Sequence, residues 1–454
     1  MDEILDKQQK FFATGETQAA AYRIRMLKRL REAILAFEQD ILDALHRDLK
    51  KPKLDAYAME IGHCLTETTF VLKHLKKWMK PRRVGGSKLL PLSSGWIVPE
   101  PLGISLILSP WNYPFELAVS PLIASLAAGN CVILKPSEIS RNTERVIAKM
   151  IAEHFDDSSV SVVCGGPDTA QSLLGHRFDH IFFTGSEAVG KMVMKAASRH
   201  ATPVTLELGG KSPCVVDEGC NLERAAKRIA WGKFINAGQT CVAPDYLLVQ
   251  KNAKGALIRE LRKNVVAFYG AEASESPDYG RIINEHHFDR LTRLLRDGEI
   301  IFGGQTDREG LYISPTLIEH VPEDAALMND EVFGPILPIV EFDGVSEAVN
   351  FINNKPKPLA LYIFSGDRAF QNRIISETSS GGVCINDTIV HLGAPDLPFG
   401  GVGNSGFGRY HGKAGFETFS NPKSVFRQTM LFDLPKRFPP ADELGFKLFR
   451  RLLK

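Results

Sequence analysis

Between residues 103 and 217 the chain repeats one device: a short, almost wholly apolar run, then a stretch with helical periodicity. The runs are Ile104 to Leu108, Cys131 to Leu134, Val160 to Cys164, Ile181 to Phe183, Val204 to Leu206 and Cys214 to Val216. A strand that is apolar at every position has no face to give to water, so it must be covered on both sides. Such strands, separated by helices, predict a parallel sheet in an α/β fold. A second series starts at about Leu247 and reaches Asn386, with runs at Leu247 to Val249, Ile336 to Val340, Leu361 to Phe364 and Val383 to Ile385. It predicts a second α/β domain, and a length of 454 residues agrees with more than one core.

The flanking segments differ from these two series. Leu27, Leu30, Ile34, Phe37, Ile41 and Leu45 recur three or four residues apart among charges, the pattern of one amphipathic helix. From Arg82 to Pro101, Gly, Ser and Pro punctuate the short pieces Lys88-Leu89-Leu90-Pro91 and Gly95-Trp96-Ile97-Val98-Pro99, which predicts an extended arm or hairpin. After Asn421 comes one more strand-like piece, Ser424-Val425-Phe426-Arg427, and then a Pro-rich linker. In the tail beyond it, Leu444, Leu448, Phe449, Leu452 and Leu453 share one helical face and Lys447, Arg450, Arg451 and Lys454 the other. A helix of this kind packs on a partner subunit or over a substrate mouth, or makes peripheral contact with an anionic membrane surface. Contact within the protein is the expectation here.

Composition narrows the function. Lys plus Arg number 55 against 53 Asp plus Glu, which gives no electrostatic reason to expect nucleic acid as a partner. The start, Met1-Asp2-Glu3, is acidic where a secretory signal is basic and then apolar. The most apolar stretch, Pro121 to Leu134, is broken by Ser125, Gly129 and Asn130 and is shorter than the roughly 18 residues of a membrane span. Seven cysteines stand without CxxC pairs, which suits a reducing compartment and points to no metal site. The chain is expected in the cytoplasm.

In parallel α/β sheets ligands bind beyond the carboxyl ends of the strands, so the residues after each apolar run are the ones to inspect. After Ile181-Phe182-Phe183 comes Thr184-Gly185-Ser186-Glu187-Ala188-Val189-Gly190, a turn opening a helix whose free N–H groups suit a pyrophosphate; such turns also serve tight packing. After Leu134 come Lys135-Pro136-Ser137-Glu138, which suit ribose hydroxyls or, equally, a helix cap with Ser137 or Ser140 as the capping residue. The periodicity of Leu222 to Ala237 stops at Gly238, so Cys241 is presented on a bend. Glu207 directly follows the strand Val204 to Leu206, and Asn112 follows Ile104 to Leu108 between two prolines. A thiol nucleophile, a carboxylate base and an amide donor are what acyl chemistry needs, although each residue alone also has an ordinary structural reading.

Seven segments in order resemble the aldehyde dehydrogenase superfamily, over about residues 20 to 427. They are Ser109-Pro110-Trp111-Asn112-Tyr113-Pro114, Lys135-Pro136-Ser137-Glu138, Phe182-Phe183-Thr184-Gly185-Ser186, Glu207-Leu208-Gly209-Gly210-Lys211-Ser212-Pro213, Gly238-Gln239-Thr240-Cys241, Glu331-Val332-Phe333-Gly334-Pro335 and Pro398-Phe399-Gly400-Gly401-Val402-Gly403-Asn404-Ser405-Gly406. The short amino-terminal segment, Tyr113 beside Asn112 and the ending Gly408-Arg409-Tyr410-His411-Gly412 are similar to its class 3 and fatty-aldehyde branch.

The resemblance implies a Rossmann-like cofactor domain (1–81 and 103–207), a catalytic domain (208–420), an oligomerisation arm and strand (82–102 and 421–432) and the basic tail (433–454). It implies oxidation of medium- or long-chain aliphatic or aromatic aldehydes to acids, with NAD as cofactor and NADP as the alternative, in a homodimer. Cys241 is then the nucleophile, Asn112 and the Cys241 N–H hold the oxyanion, and Glu207 activates the water that hydrolyses the thioester. Lys135 and Glu138 would meet the adenine-side ribose, Gly185 and Ser186 the pyrophosphate and Glu331 the nicotinamide ribose, with Thr184, Gly190, Leu208, Gly209 and Phe333 completing the cofactor site. Tyr113, Trp231, Phe399 and His411 would line the aldehyde channel, while His286 and His287 are expected as solvated helix residues. Two alternatives stay open: acyl release to coenzyme A or phosphate, which Glu207 disfavours because such relatives generally lack this base, and a retained scaffold without activity.

Overall fold

In the computed structural model, which describes every residue but Lys88, Leu89, Pro91, Ala441 and Lys454, the apolar runs become strands buried along most of their length. The piece Lys88-Leu89-Leu90-Pro91 and the last residue of the tail thus lie largely outside the described residues. The first sheet runs in the order Gly406–Phe407, Val204–Leu208, His180–Gly185, Ile104–Leu108, Cys131–Lys135, Val160–Val162. All are parallel except Gly406–Phe407, which pairs antiparallel along Val204–Leu208. Leu108 stands opposite both Lys135 and Phe183, and Thr184 opposite Glu207. Four candidate segments therefore leave the sheet side by side at its carboxyl edge.

The second sheet runs Glu299–Phe302, Thr316–Glu319, Ile336–Phe342, Tyr246–Gln250, Pro213–Val216, Ala360–Phe364, Gly382–Ile385, parallel except for the first strand. The run Cys214 to Val216, read as the last of the first series, belongs to this sheet instead. Residues 209–212 alone join Val204–Leu208 to Pro213–Val216, with no helix between them. The chain therefore leaves the carboxyl edge of one sheet and at once enters the amino edge of the next. This corrects the expectation that only strand ends matter: Cys241 and Glu331 precede the strands Tyr246–Gln250 and Ile336–Phe342. One cluster of buried side chains, including Ile107, Leu122, Val132, Cys214, Leu247 and Ile336, runs continuously through both sheets.

The single amphipathic helix is two, Ala20–Ala36 and Glu38–Leu49, broken at Phe37, whose φ of −100° and ψ of 10° leave the helical region. The apolar stripe runs through the break and all six of its residues are buried, so periodicity alone did not reveal it. The arm forms Arg82–Val84 and Ser94–Pro101, and the latter pairs antiparallel with Ser420–Arg427, a strand that starts four residues before the piece read from sequence. The tail forms the helix Glu443–Leu452, capped by Asp442, with Leu444, Phe446 and Leu453 exposed. Among the described residues no helix is long and apolar enough to cross a membrane.

Candidate active site

The helix before Cys241 ends earlier than its periodicity suggests, at Phe234. Asn236 (φ 53°), Ala237 (φ 52°) and Gly238 (φ 72°) then take left-handed conformations in succession and turn the chain sharply. Gly238 is obligatory on two grounds: its φ, and a Cβ that would stand 2.2 Å from the Gly334 carbonyl oxygen. The segment Gly238-Gln239-Thr240-Cys241 thereby threads against Glu331-Val332-Phe333-Gly334-Pro335. The fully buried Gln239 pins the bend: its Nε2 donates to the carbonyls of Asn236 (3.0 Å) and Arg281 (2.9 Å), and its Oε1 accepts from the Ile283 N–H (3.0 Å). Beyond it the Tyr113 and Thr240 hydroxyls share a 2.8 Å hydrogen bond.

Asn112 is buried, and its Nδ2 donates to the Gln239 carbonyl at 3.0 Å. An amide nitrogen carries two protons, so one remains for an oxyanion. The backbone carbonyl of Asn112 accepts from Asn236 Nδ2 (2.9 Å) and from the Lys51 ammonium (3.0 Å). Lys51 also pairs with Glu60, and the second oxygen of Glu60 accepts from the N–H groups of Phe115 and Glu116 at 2.9 and 3.3 Å. This fully buried ion pair fixes the loop that carries Asn112 and was missed in the sequence, where Lys51 reads as one of the basic residues of Lys50-Lys51-Pro52-Lys53 and Glu60 as a helix-surface charge. A second buried pair, Lys211 with Asp245, fixes the loop of Glu331: Lys211 donates to the carbonyls of Leu327 (2.9 Å) and Asp330 (2.8 Å), and Asp245 accepts from the Val332 N–H (2.9 Å).

Glu207 is the penultimate residue of the strand Val204–Leu208 rather than the residue after it, 2% exposed, with no hydrogen-bond partner for either carboxylate oxygen. Burial raises its pKa well above the usual carboxylate range, opposed only by the charge of Arg409. Burial likewise pushes the Cys241 thiol up, helped by the carboxylates of Glu331, Glu207 and Glu116. Glu331 is raised to about 8 by burial and by the charge of Asp245, and accepts from the Gly210 N–H at 3.1 Å.

Two cavities meet at Cys241. One, of about 350 Å³, is lined by Asn112, Thr184, Gly185, Ser186, Glu207, Leu208, Gly209, Glu331 and Phe333, among others. The other, of about 250 Å³, is lined by Tyr113, Trp231, Phe399 and His411 together with Met59, Glu116, Leu117 and Val242. Cys241, Leu117, Phe399 and Tyr410 border both. Three residues named for the cofactor lie elsewhere. Lys135 and Glu138 line neither cavity and pair with each other at 2.7 Å, while Gly190 packs beneath Leu208, where a Cβ would come within 2.8 Å of a methyl group. Neither Ser137 nor Ser140 caps the following helix; Asp48 does, accepting from the N–H groups of Asn142 (3.1 Å) and Thr143 (2.8 Å).

His287 corrects another expectation. His286 is exposed, but the His287 ring lies 4.7 Å from Trp111 on the wall of the larger cavity, and burial lowers its pKa to about 4. Trp111 and Arg290 line the same cavity and were also missed; Arg290 donates to the Val332 carbonyl at 2.8 Å. The pattern Glu285-His286-His287 reads as a solvated helix start because its partner, Trp111, is remote in the chain.

The larger cavity fits a nicotinamide dinucleotide on this chain's own evidence. The buried Thr184 hydroxyl has no partner, and the helix Glu187–Ala197 opens directly after Ser186, with its N-terminal dipole available to an anion. At Gly209 a Cβ would stand 2.0 Å from a Glu331 carboxylate oxygen, so only glycine lets that carboxylate lie against the backbone.

Comparison with known proteins agrees. A profile of the Aldehyde dehydrogenase family matches residues 1–425. The chain is 50% identical over 424 residues to 4,4'-diaponeurosporen-aldehyde dehydrogenase of Staphylococcus aureus, covering 93% of this chain and 92% of that one. It is 46% identical over 434 residues to aldehyde dehydrogenase family 3 member A2 of Pongo abelii, covering 95% and 90%. Among solved structures, the substrate-bound state of Staphylococcus aureus AldH superimposes with a TM-score of 0.97 at 47% identity over 100% of this chain and 99% of that one. PnpE of Pseudomonas sp. WBC-3 in complex with nicotinamide adenine dinucleotide does so with a TM-score of 0.86 at 25% identity, covering 96% and 91%. The chain belongs to the aldehyde dehydrogenase family, in its class 3 branch, and is an NAD(P)-dependent oxidoreductase that converts aldehydes to acids.

Proposed function

We propose that this enzyme oxidises medium- to long-chain aliphatic or aromatic aldehydes, with NAD preferred over NADP, through a thioester on Cys241 that water hydrolyses. The observation that carries the reading is the position of Cys241, which borders both cavities and so lies where an apolar aldehyde and a nucleotide can meet. Thr184, Gly185, Ser186, Leu208, Gly209, Glu331 and Phe333 hold the cofactor, which when bound supplies a positive charge and a hydride acceptor. The Cys241 thiol gives its proton up to solvent, its sulfur bonds to the aldehyde carbon, and the carbonyl oxygen takes the π electron pair as an oxyanion. The free proton of Asn112 Nδ2 and the Cys241 N–H stabilise that oxyanion. Once oxidised, the carbon remains as a thioester. Glu207 takes a proton from the attacking water, and the acid leaves as the thiol is restored. Unpartnered carboxylate oxygens suit Glu207 to this task, because no competing donor has to be displaced.

An apolar substrate is supported by the smaller cavity, whose lining is largely aliphatic and aromatic; the relative at 50% identity is named for 4,4'-diaponeurosporen-aldehyde. The tail helix is read as a contact on the partner subunit or at the substrate mouth. Its exposed Leu444, Phe446 and Leu453 also leave peripheral membrane contact as an outcome, which co-sedimentation with anionic vesicles reads when the full chain is compared with one ending at Pro440. NADH formation with hexanal, decanal, hexadecanal and benzaldehyde tests the reaction and ranks the substrates. Cys241→Ser should lower turnover at least ~10³-fold while leaving NAD binding intact. Substantial residual turnover in that variant would remove Cys241 from the chemistry.

A further inference from the structure

His63 and His411 line the smaller cavity, Glu67 lies behind them, and no step of the reaction above uses any of the three. His63 and Glu67 lie one turn apart on the helix Gly62–Trp78, so their side chains share a face. His411 reaches them from the far end of the sequence, just before the helix Gly412–Thr418. Its backbone, at φ 68° and ψ 139°, is in a region that residues with a Cβ rarely adopt. The fold holds this strain and directs the imidazole toward the other two side chains, the rings of His63 and His411 lying 5.2 Å apart.

The polar atoms gathered there are incompletely satisfied. The Nε2 atoms of His63 and His411 are both buried without a hydrogen-bond partner, and His411 is 4% exposed. Glu67 is held by the Ser120 hydroxyl and by the Gly412 N–H at 3.3 Å, the kind of outer support that orients a ligating carboxylate. Glu67 and Glu116 lie 3.9 and 3.7 Å from the His63 ring nitrogen, so two acidic side chains and an imidazole are buried together. A small cavity of about 20 Å³ opens between His63, Glu67 and His411. A water-sized occupant needs about 10–15 Å³, so there is room for one small species.

We propose that His63, Glu67 and His411 form a binding site for a single divalent transition-metal ion of the zinc type. One ligand atom from each residue lies within 4.8 Å of the other two. A tetrahedral ion with bonds of about 2.0–2.2 Å draws donors together to about 3.5 Å, a closure that side-chain rotation supplies. Two imidazoles and one carboxylate select zinc, cobalt or nickel over magnesium and calcium, which prefer all-oxygen shells. Glu116, 3.7 Å from His63 and on the wall of the aldehyde cavity, is the nearest further carboxylate to this cluster that an ion pair marks. Because His411 stacks on Phe399 (5.4 Å, 18°), the ion also steadies the wall that Phe399 gives to both cavities.

The test is titration of the full-length enzyme with Co²⁺ followed by visible spectroscopy. The expected result is one equivalent giving tetrahedral d–d bands without a thiolate charge-transfer band, displaced by Zn²⁺. In His63→Gln and His411→Gln the affinity should fall by more than about 100-fold. A spectrum unchanged in both variants, or one carrying only thiolate character, overturns the site. Because either variant may fold poorly, crystals of the unaltered enzyme soaked in zinc provide a second reading. An anomalous peak between the three side chains supports the proposal, and an ordered water or no peak there overturns it.

Discussion

At the residue scale the site separates groups that act from groups that select. Lys135 and Glu138 pair with each other at 2.7 Å beyond the edge of the larger cavity, at the end of the strand Cys131–Lys135. If Glu138 accepts hydrogen bonds from the adenine-side ribose of a bound cofactor, its charge repels a 2′-phosphate. Glu138→Gln should then shift the NAD to NADP ratio of kcat/KM toward NADP by about tenfold, the effect of roughly 1.4 kcal/mol. An unchanged ratio would take Glu138 out of cofactor choice. Cys241, Glu207 and Asn112 were legible in the sequence because each stands in a short segment of distinctive composition. His287 was not, because what brings it to the site is a ring contact with Trp111, 176 positions away by number, and nothing local records that.

At the scale of elements, the loops that carry chemistry are held by buried ion pairs and a threaded glycine rather than by regular structure. Breaking a buried pair by removing one partner leaves an uncompensated charge and costs about 3–5 kcal/mol. Lys51→Ala should therefore lower the melting temperature markedly and loosen the Asn112 loop, whereas Lys51→Met combined with Glu60→Gln should recover part of the stability. A melting temperature for Lys51→Ala within one degree or so of the parent would mean that the pair does not hold this loop. Strands were the most legible elements, since an all-apolar run has few other uses. Helix ends were less so: the stripe from Leu27 to Leu45 continues through a break at Phe37, and the pattern before Cys241 outlasts its helix by three residues, Ile235, Asn236 and Ala237. In the first case side-chain burial keeps its period while the backbone departs, and in the second every residue from Gly232 to Thr240 is buried, so burial does not mark the helix end.

At the scale of the whole molecule, the direct connection through residues 209–212 sets the carboxyl edge of one sheet against the amino edge of the other, and the reaction centre lies where they meet. That arrangement was only half legible, because the assignment of Cys214 to Val216 to a sheet depends on pairing with strands that come later in the chain. The edge strand Ser420–Arg427 and its continuation expose Phe426, Met430, Leu431 and Phe432, an apolar series that suits a subunit contact. Light scattering after gel filtration should give a dimer for the full chain and a monomer for Phe426→Asp combined with Leu431→Asp; a variant that stays dimeric would place the interface elsewhere. In the proposed reaction, oxidation on Cys241 and hydrolysis by Glu207 are separate steps at one centre. Because burial raises the Glu207 pKa, the carboxyl is neutral and inactive as a base at low pH, so hydrolysis-limited kcat should rise with pH through a midpoint above the usual carboxylate range. The most direct test is rapid mixing of Glu207→Gln with NAD and decanal. The expected result is a burst of NADH, about one per active site, followed by a steady rate at least ~10²-fold below that of the parent and without its pH limb. Steady turnover that persists without a burst would contradict it.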